Sequence, residues 1–103
     1  MPASAAVGSP INQQNITANG QTFTNSWLPF IRAVLGAGSF TGLIIAPGFY
    51  PGQTLTIINT GTGSLTFAVP ATSNVANGTS CVIGASTARI FVWDDLTAVW
   101  YQA

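Results

Sequence analysis

The stretch Gln53-Thr54-Leu55-Thr56-Ile57-Ile58, then Asn59-Thr60-Gly61-Thr62-Gly63, then Ser64-Leu65-Thr66-Phe67-Ala68-Val69 decides the fold class. Leu55 and Ile57 alternate with Thr54 and Thr56, and Leu65, Phe67 and Val69 alternate with Ser64, Thr66 and Ala68. Successive side chains of a strand point to opposite faces, so a period of two marks two half-buried strands. The intervening five residues carry two glycines and predict a hairpin loop. Pro51-Gly52 before and Pro70 after punctuate both ends, as residues that cannot continue a central ladder do.

The same language runs outward from this stretch. Toward the C-terminus, Thr87-Ala88-Arg89-Ile90-Phe91-Val92-Trp93 and Leu96-Thr97-Ala98-Val99-Trp100-Tyr101 predict a second hairpin turning at Asp94-Asp95. Both faces of that ribbon carry bulky apolar groups, so one fills the core and the other needs a further cover, from a second sheet or a neighbouring subunit. Leu43-Ile44-Ile45-Ala46, stopped by Pro47-Gly48, is another short apolar strand with the same need. Residues 26–35 fit helical spacing through Trp27, Phe30, Ile31, Val34 and Leu35, but Pro29 holds Leu28 extended and strand is the preferred reading for residues 30–35. Gly36-Ala37-Gly38-Ser39-Phe40-Thr41-Gly42 lacks the spacing of a nucleotide-binding loop and reads as a turn. No fixed-period repeat is visible, which speaks against a solenoid. Residues 1–16 are small and polar and predict a flexible N-terminal arm; residues 17–103 predict one β domain. The expected architecture is all-β: a compact antiparallel β-sandwich or jelly-roll-like barrel.

Composition limits what such a domain can do. The 103 residues include two Arg and two Asp, no Lys, Glu or His, and 48% hydrophobic residues, with a charged fraction of 4% and no net charge. Mean hydropathy is +0.45. Soluble domains usually carry about a quarter charged residues. A chain this poor in ions is expected to hide apolar surface against other chains, itself foremost.

Nucleophilic dyads and triads need a base that is missing, and the carboxylates Asp94 and Asp95 sit side by side in a turn rather than across a cleft. No enzymatic activity, cofactor or metal is therefore expected. Arg32 and Arg89 cannot form the basic track that nucleic acid requires, and a pairing with Asp94 or Asp95, within the chain or across a subunit boundary, is their expected role. No apolar run approaches the ~20 residues of a membrane span, and the N-terminus does not read as a signal peptide. Cys81, beside Val82 and Ile83, is expected to be a small buried hydrophobe. Trp93, Trp100, Tyr101, Phe49 and Tyr50 could stack on sugar rings if exposed, although core and interface packing is the commoner use of aromatics.

Thr41-Gly42-Leu43-Ile44-Ile45-Ala46-Pro47-Gly48, Pro51-Gly52-Gln53, Ile57-Ile58-Asn59, Thr72-Ser73-Asn74-Val75-Ala76-Asn77-Gly78 and Ala88-Arg89-Ile90-Phe91-Val92-Trp93-Asp94 with Trp100-Tyr101 together resemble small β-structured virion proteins of tailed bacteriophages. Such proteins occur as head decoration proteins, head fibres and tail-fibre domains. The resemblance covers residues 30–101 and implies a non-enzymatic, often trimeric virion protein. On it rests the expectation of a capsid decoration (cement) protein on the capsid surface, assembled in the host cytoplasm, with further copies of itself and the major capsid protein as partners. The alternative is a receptor- or carbohydrate-binding tip of a phage fibre, with a host-surface glycan as partner. The residues expected at the oligomer or capsid interface are Leu43, Ile45, Phe91, Trp93, Trp100, Tyr101, Arg89 and Asp94.

Overall fold

A computed structural model describes residues 12–25 and 28–103. Among them, nine strands form two sheets packed face to face as a β-sandwich. One sheet holds β1 (Gln13–Ile16), β3 (Phe30–Leu35), β5 (Thr54–Asn59), β8 (Ala88–Asp94) and β9 (Val99–Gln102), in the spatial order β1-β3-β5-β8-β9. The other holds β2 (Thr22–Phe23), β4 (Phe40–Ile45), β6 (Leu65–Phe67) and β7 (Val82–Ile83), in the order β2-β4-β6-β7. A single helical turn, α1 (Pro70–Ser73), and a 3-10 turn (Gly78–Ser80) join β6 to β7.

The core lies between the sheets. Ile31, Leu55, Ile57 and Phe91 enter it from one side and Leu43, Ile45, Leu65 and Phe67 from the other, all essentially without exposure. Each such side chain contributes roughly 1.5–3 kcal/mol on leaving water. Phe67 packs edge-on against Phe91 across the sandwich, ring centroids 5.7 Å apart. Trp93 and Trp100 pack at a tilt of 58°, ring centroids 5.3 Å apart, and Trp100 Nε1 donates to the Ala46 carbonyl just past β4 (3.1 Å).

Strand positions agree with the periodicity, whereas strand partners do not. The expected hairpin between residues 53–58 and 64–69 is absent: β5 lies between β3 and β8, and β6 lies in the opposite sheet between β4 and β7. Nor is the sandwich antiparallel throughout, because β1, β3 and β5 run parallel, as do β2, β4 and β6. Parallel neighbours need a crossover of about a dozen residues or more, and here a strand of the other sheet supplies it. The chain therefore winds between sheets like a short solenoid before β7, β8 and β9 add antiparallel pairs. No sequence repeat betrays the winding because its turns are unequal: Gln13 lies beside Arg32, and Arg32 beside Ile58. The C-terminal hairpin β8–β9 is present, with Trp93 opposite Trp100. Phe30–Leu35 is a strand, while the Trp27 part of the helical alternative lies outside the described residues. Of the expected arm over residues 1–16, Gln13–Ile16 is instead strand β1 with Ile16 fully buried; residues 1–11 lie outside the described residues.

Primary amides, rather than charges, satisfy the loops and edges. β5 turns Gln53, Leu55, Ile57 and Asn59 inward together, so its buried face begins and ends in an amide. Gln53 Oε1 accepts the Phe49 N–H (2.6 Å) while its Nε2 donates to Asn25 Oδ1 (3.2 Å). At the first turn of the winding, the Gln21 side chain donates to the Asn15 carbonyl (2.6 Å) and accepts the Thr17 N–H (3.0 Å), taking the place of a neighbouring strand along β1. Gln14 does the same for Thr24, just past β2, accepting its N–H (2.9 Å) and donating to its carbonyl (2.8 Å). Open strand edges invite pairing with other chains. The double variant Gln14→Ala with Gln21→Ala is therefore expected to accumulate β-rich aggregates over hours, followed by light scattering and thioflavin fluorescence, under conditions where the parent stays clear. Equal behaviour of the two would show that these amides do not guard the edge.

Candidate functional site: the outer face of the five-stranded sheet

Alternation that buries one face of the five-stranded sheet leaves the other facing outward, and no strand or turn of the described residues packs on it. Along β3 this outer face carries Phe30, Arg32 and Val34; along β5 Thr54, Thr56 and Ile58; along β8 Ala88, Ile90, Val92 and Asp94. Register aligns them in transverse rows: Arg32 beside Ile58 beside Ala88, then Phe30 beside Thr56 beside Ile90, then Thr54 beside Val92 beside Tyr101. Ile90 is 48% and Tyr101 44% exposed, a large apolar outlay for a chain with so few charges.

The eight expected interface residues divide sharply. Leu43, Ile45, Phe91 and Trp100 are fully buried and Trp93 is 4% exposed, so these five form the core and cannot reach a partner. Their parity explains the correction: each shares a face with the inward set, and the bulk of Trp93 and Trp100 is absorbed between the sheets. Tyr101 and Asp94 lie on the outer face. Arg89, opposite Ile57, is on the inward side, where its guanidinium donates to Gln102 Oε1 (2.9 Å) and the Val82 carbonyl (3.2 Å) and ties β7 to β9. Its Nε is buried without a hydrogen-bond partner among the described residues. Sequence reasoning missed Ile90, Ile58 and Arg32 as surface groups. The signal was present in their phase relative to Phe91, Ile57 and Ile31, but it is readable only once the inward face is known.

Charged groups on this face sit toward its ends, while Thr54 and Thr56 bring hydroxyls to its middle. Arg32 donates to Gln13 Oε1 (3.1 Å). Asp94 accepts the Leu96 N–H (3.1 Å) and the Thr97 hydroxyl (2.8 Å), which hold its carboxyl below the ordinary carboxylate range. Asp95 accepts the indole N–H of Trp93 (3.0 Å), and the Tyr101 hydroxyl lies 3.3 Å from that of Thr97. Both aspartates are thus engaged by their own hairpin turn, as turn chemistry predicts. Among the described residues neither arginine has a carboxylate partner within the chain, so the expected Arg–Asp pairing is not made inside one copy. Cys81 is buried as expected; burial pushes its thiol up, against a weaker opposing pull from Arg89. No three of His, Cys, Asp and Glu gather among the described residues, and no described helix is long and apolar enough to cross a membrane.

The family model for the phage depolymerase C-terminal beta sandwich domain matches residues 11–101. No curated protein matches the chain. The match moves the protein from the phage head to the tail: it is not a capsid cement protein, and the resemblance through residues 30–101 was right about the virus and wrong about the principal location. The expected fibre alternative agrees with the match in placing the module on a virion tail component. Two β-sheets packed as a sandwich, matched over nearly the whole chain, make this protein a member of the phage depolymerase C-terminal β-sandwich domain family, a module of tail spikes and fibres.

Proposed function

We propose that the chain is a non-catalytic end module of a tail spike, whose work is to hold copies of the spike polypeptide together as a homotrimer. The observation that carries this reading is the outer face of the five-stranded sheet, which no element of the described residues covers and which presents Phe30, Val34, Ile58, Ile90, Val92 and Tyr101 on a protein with four charged residues. Water penalises such a surface by roughly 25 cal/mol per Å² of apolar area, and copies arranged around a three-fold axis cover it in turn, each setting one side of its face against the other side of its neighbour's. Support for the absence of catalysis is chemical: Asp94 and Asp95 are both tied to one turn, and the sequence has no His, Lys or Glu to trade protons with a substrate. Depolymerisation then belongs to another part of the spike. The test is a solution mass by light scattering at micromolar concentration. Three times the 10.6 kDa chain is expected; a single-copy mass overturns the reading.

A second reading, contact with a host-surface saccharide, draws on the exposed Tyr101 with the Thr97 hydroxyl and the Asp94 carboxylate around it. It competes for the same residues, because a Tyr101 covered by another copy has no ring face left for a sugar. A glycan array that binds the chain, with binding lost in Tyr101→Ala, would favour it over assembly.

A further inference from the structure

The ways in which copies could meet are restricted by the structure. The edges of the sandwich are engaged: Gln21 occupies the outer groups of β1, Gln14 those beside β2, and residues 74–76 pair with Trp100 along β9. Strand addition at β1, β2 or β9 would have to displace these bonds, and at β7 the carbonyls of Val82 and Ile83 already accept from Arg89 and Asn59. The outer face of the four-stranded sheet is narrower and, in the paired rows Thr22–Ile44 and Thr66–Val82, half threonine with no charged group to fix an orientation.

The face of the five-stranded sheet differs in having one cation and one anion at opposite corners. Arg32 stands in the row of Ile58 and Ala88, two strands from β8, and Asp94 stands six residues further along β8. With ~3.3 Å per residue and ~4.8 Å per strand, about 20 Å along the strands and about 10 Å across them separate the two. The diagonal between them crosses β5 between Thr56 and Thr54, and Ile58, Ile90 and Val92 lie along one side of it. Both end groups retain capacity: Arg32 has donors beyond the one given to Gln13, and a carboxylate with two bonds can accept more.

We infer that this outer face is the contact surface between copies, laid so that Arg32 of one copy meets Asp94 of its neighbour while Ile90 is buried between them. The inference rests on the copy-joining reading above and specifies its surface and register. Apolar burial supplies the association, and the corner charges select the orientation, since a shifted or reversed overlap would bury each of them without a partner.

The test uses the full chain. Ile90→Asp changes an exposed side chain, so the fold survives, checked by circular dichroism, and the dissociation midpoint is expected to rise about a hundredfold or more. For the register, Arg32→Cys chains are mixed with Asp94→Cys chains and oxidised; Cys81 is buried and does not compete. A 32–94 cross-link between copies, found by mass spectrometry in the mixture, is expected. A single-copy mass for the parent defeats the copy-joining reading and this inference with it. A multi-copy parent whose mass is indifferent to Ile90→Asp leaves that reading standing and overturns this face. Loss of assembly in Ile90→Asp without any 32–94 cross-link overturns the register.

Discussion

Asn59→Leu is expected to remove about 4 kcal/mol of stability, a large share for a domain whose total lies in the range of about 5–15 kcal/mol. Asn59 has no exposure. Its Nδ2 donates to the carbonyls of Gly63 (2.9 Å), Ile83 (3.0 Å) and Gly84 (3.2 Å), while its Oδ1 accepts the Gly61 N–H (2.9 Å). One side chain thus closes the loop by which the chain leaves β5 for the other sheet and anchors the end of β7 to it. Leucine is close in volume and fills the space, yet it strands three carbonyls and one amide. Each buried orphan costs roughly 1–3 kcal/mol, and partial access of water to the loop reduces the sum. Asn59→Asp fares no better, since it keeps the acceptor, loses both donors and introduces a charge into the core edge. Urea unfolding followed by tryptophan fluorescence measures the difference; a loss below about 1 kcal/mol for Asn59→Leu would mean that the loop closes without its amide.

Gly78→Ala is expected to cost several times as much as Gly52→Ala, although both add one methyl group. Gly52 sits at φ +79 with open space around it, so an alanine there meets only the left-handed backbone penalty of about 1 kcal/mol. Gly78 is buried, and a Cβ on it would overlap the Ala68 carbonyl and stand 2.6 Å from Ser73 Oγ. Ser73 is itself buried, and its hydroxyl accepts the Val75 N–H (3.0 Å) beside α1. Relief requires backbone to move at the exit of β6, where Ala68 N–H also donates to the Leu43 carbonyl (2.9 Å). About 3 kcal/mol or more is expected for Gly78→Ala, in the range of overpacked cores. Thermal unfolding of the two variants side by side is the measurement, and near-equal midpoints would show that the 3-10 turn yields freely.

The resemblance motif gains a physical meaning here. Within it, Pro51-Gly52-Gln53 through Ile57-Ile58-Asn59 marks a strand whose inward face is an apolar pair bracketed by Gln53 and Asn59, the amides that organise the loops at either end. A polar residue in phase with the buried face was the legible sign of both. The amide caps Gln14 and Gln21 had no such sign, because their partners Thr24, Asn15 and Thr17 become edge groups only after the sheet order is known. The outer face was half legible: the need for a cover on the C-terminal ribbon followed from Ile90 and Val92 opposing Phe91 and Trp93, but the large aromatics were assigned to the wrong side of that need.

By itself the sequence determined the strand class, the location of most strands and the scarcity of chemistry, because alternation and composition are local properties that survive any arrangement of the chain. Which strands lie side by side, and hence which face is left uncovered, was decided by tertiary structure alone. Leu55, Ile57, Leu65 and Phe67 bury equally well in a hairpin or in facing sheets. A period of two reports which way a side chain points and carries no information on the identity of the hydrogen-bonded neighbour.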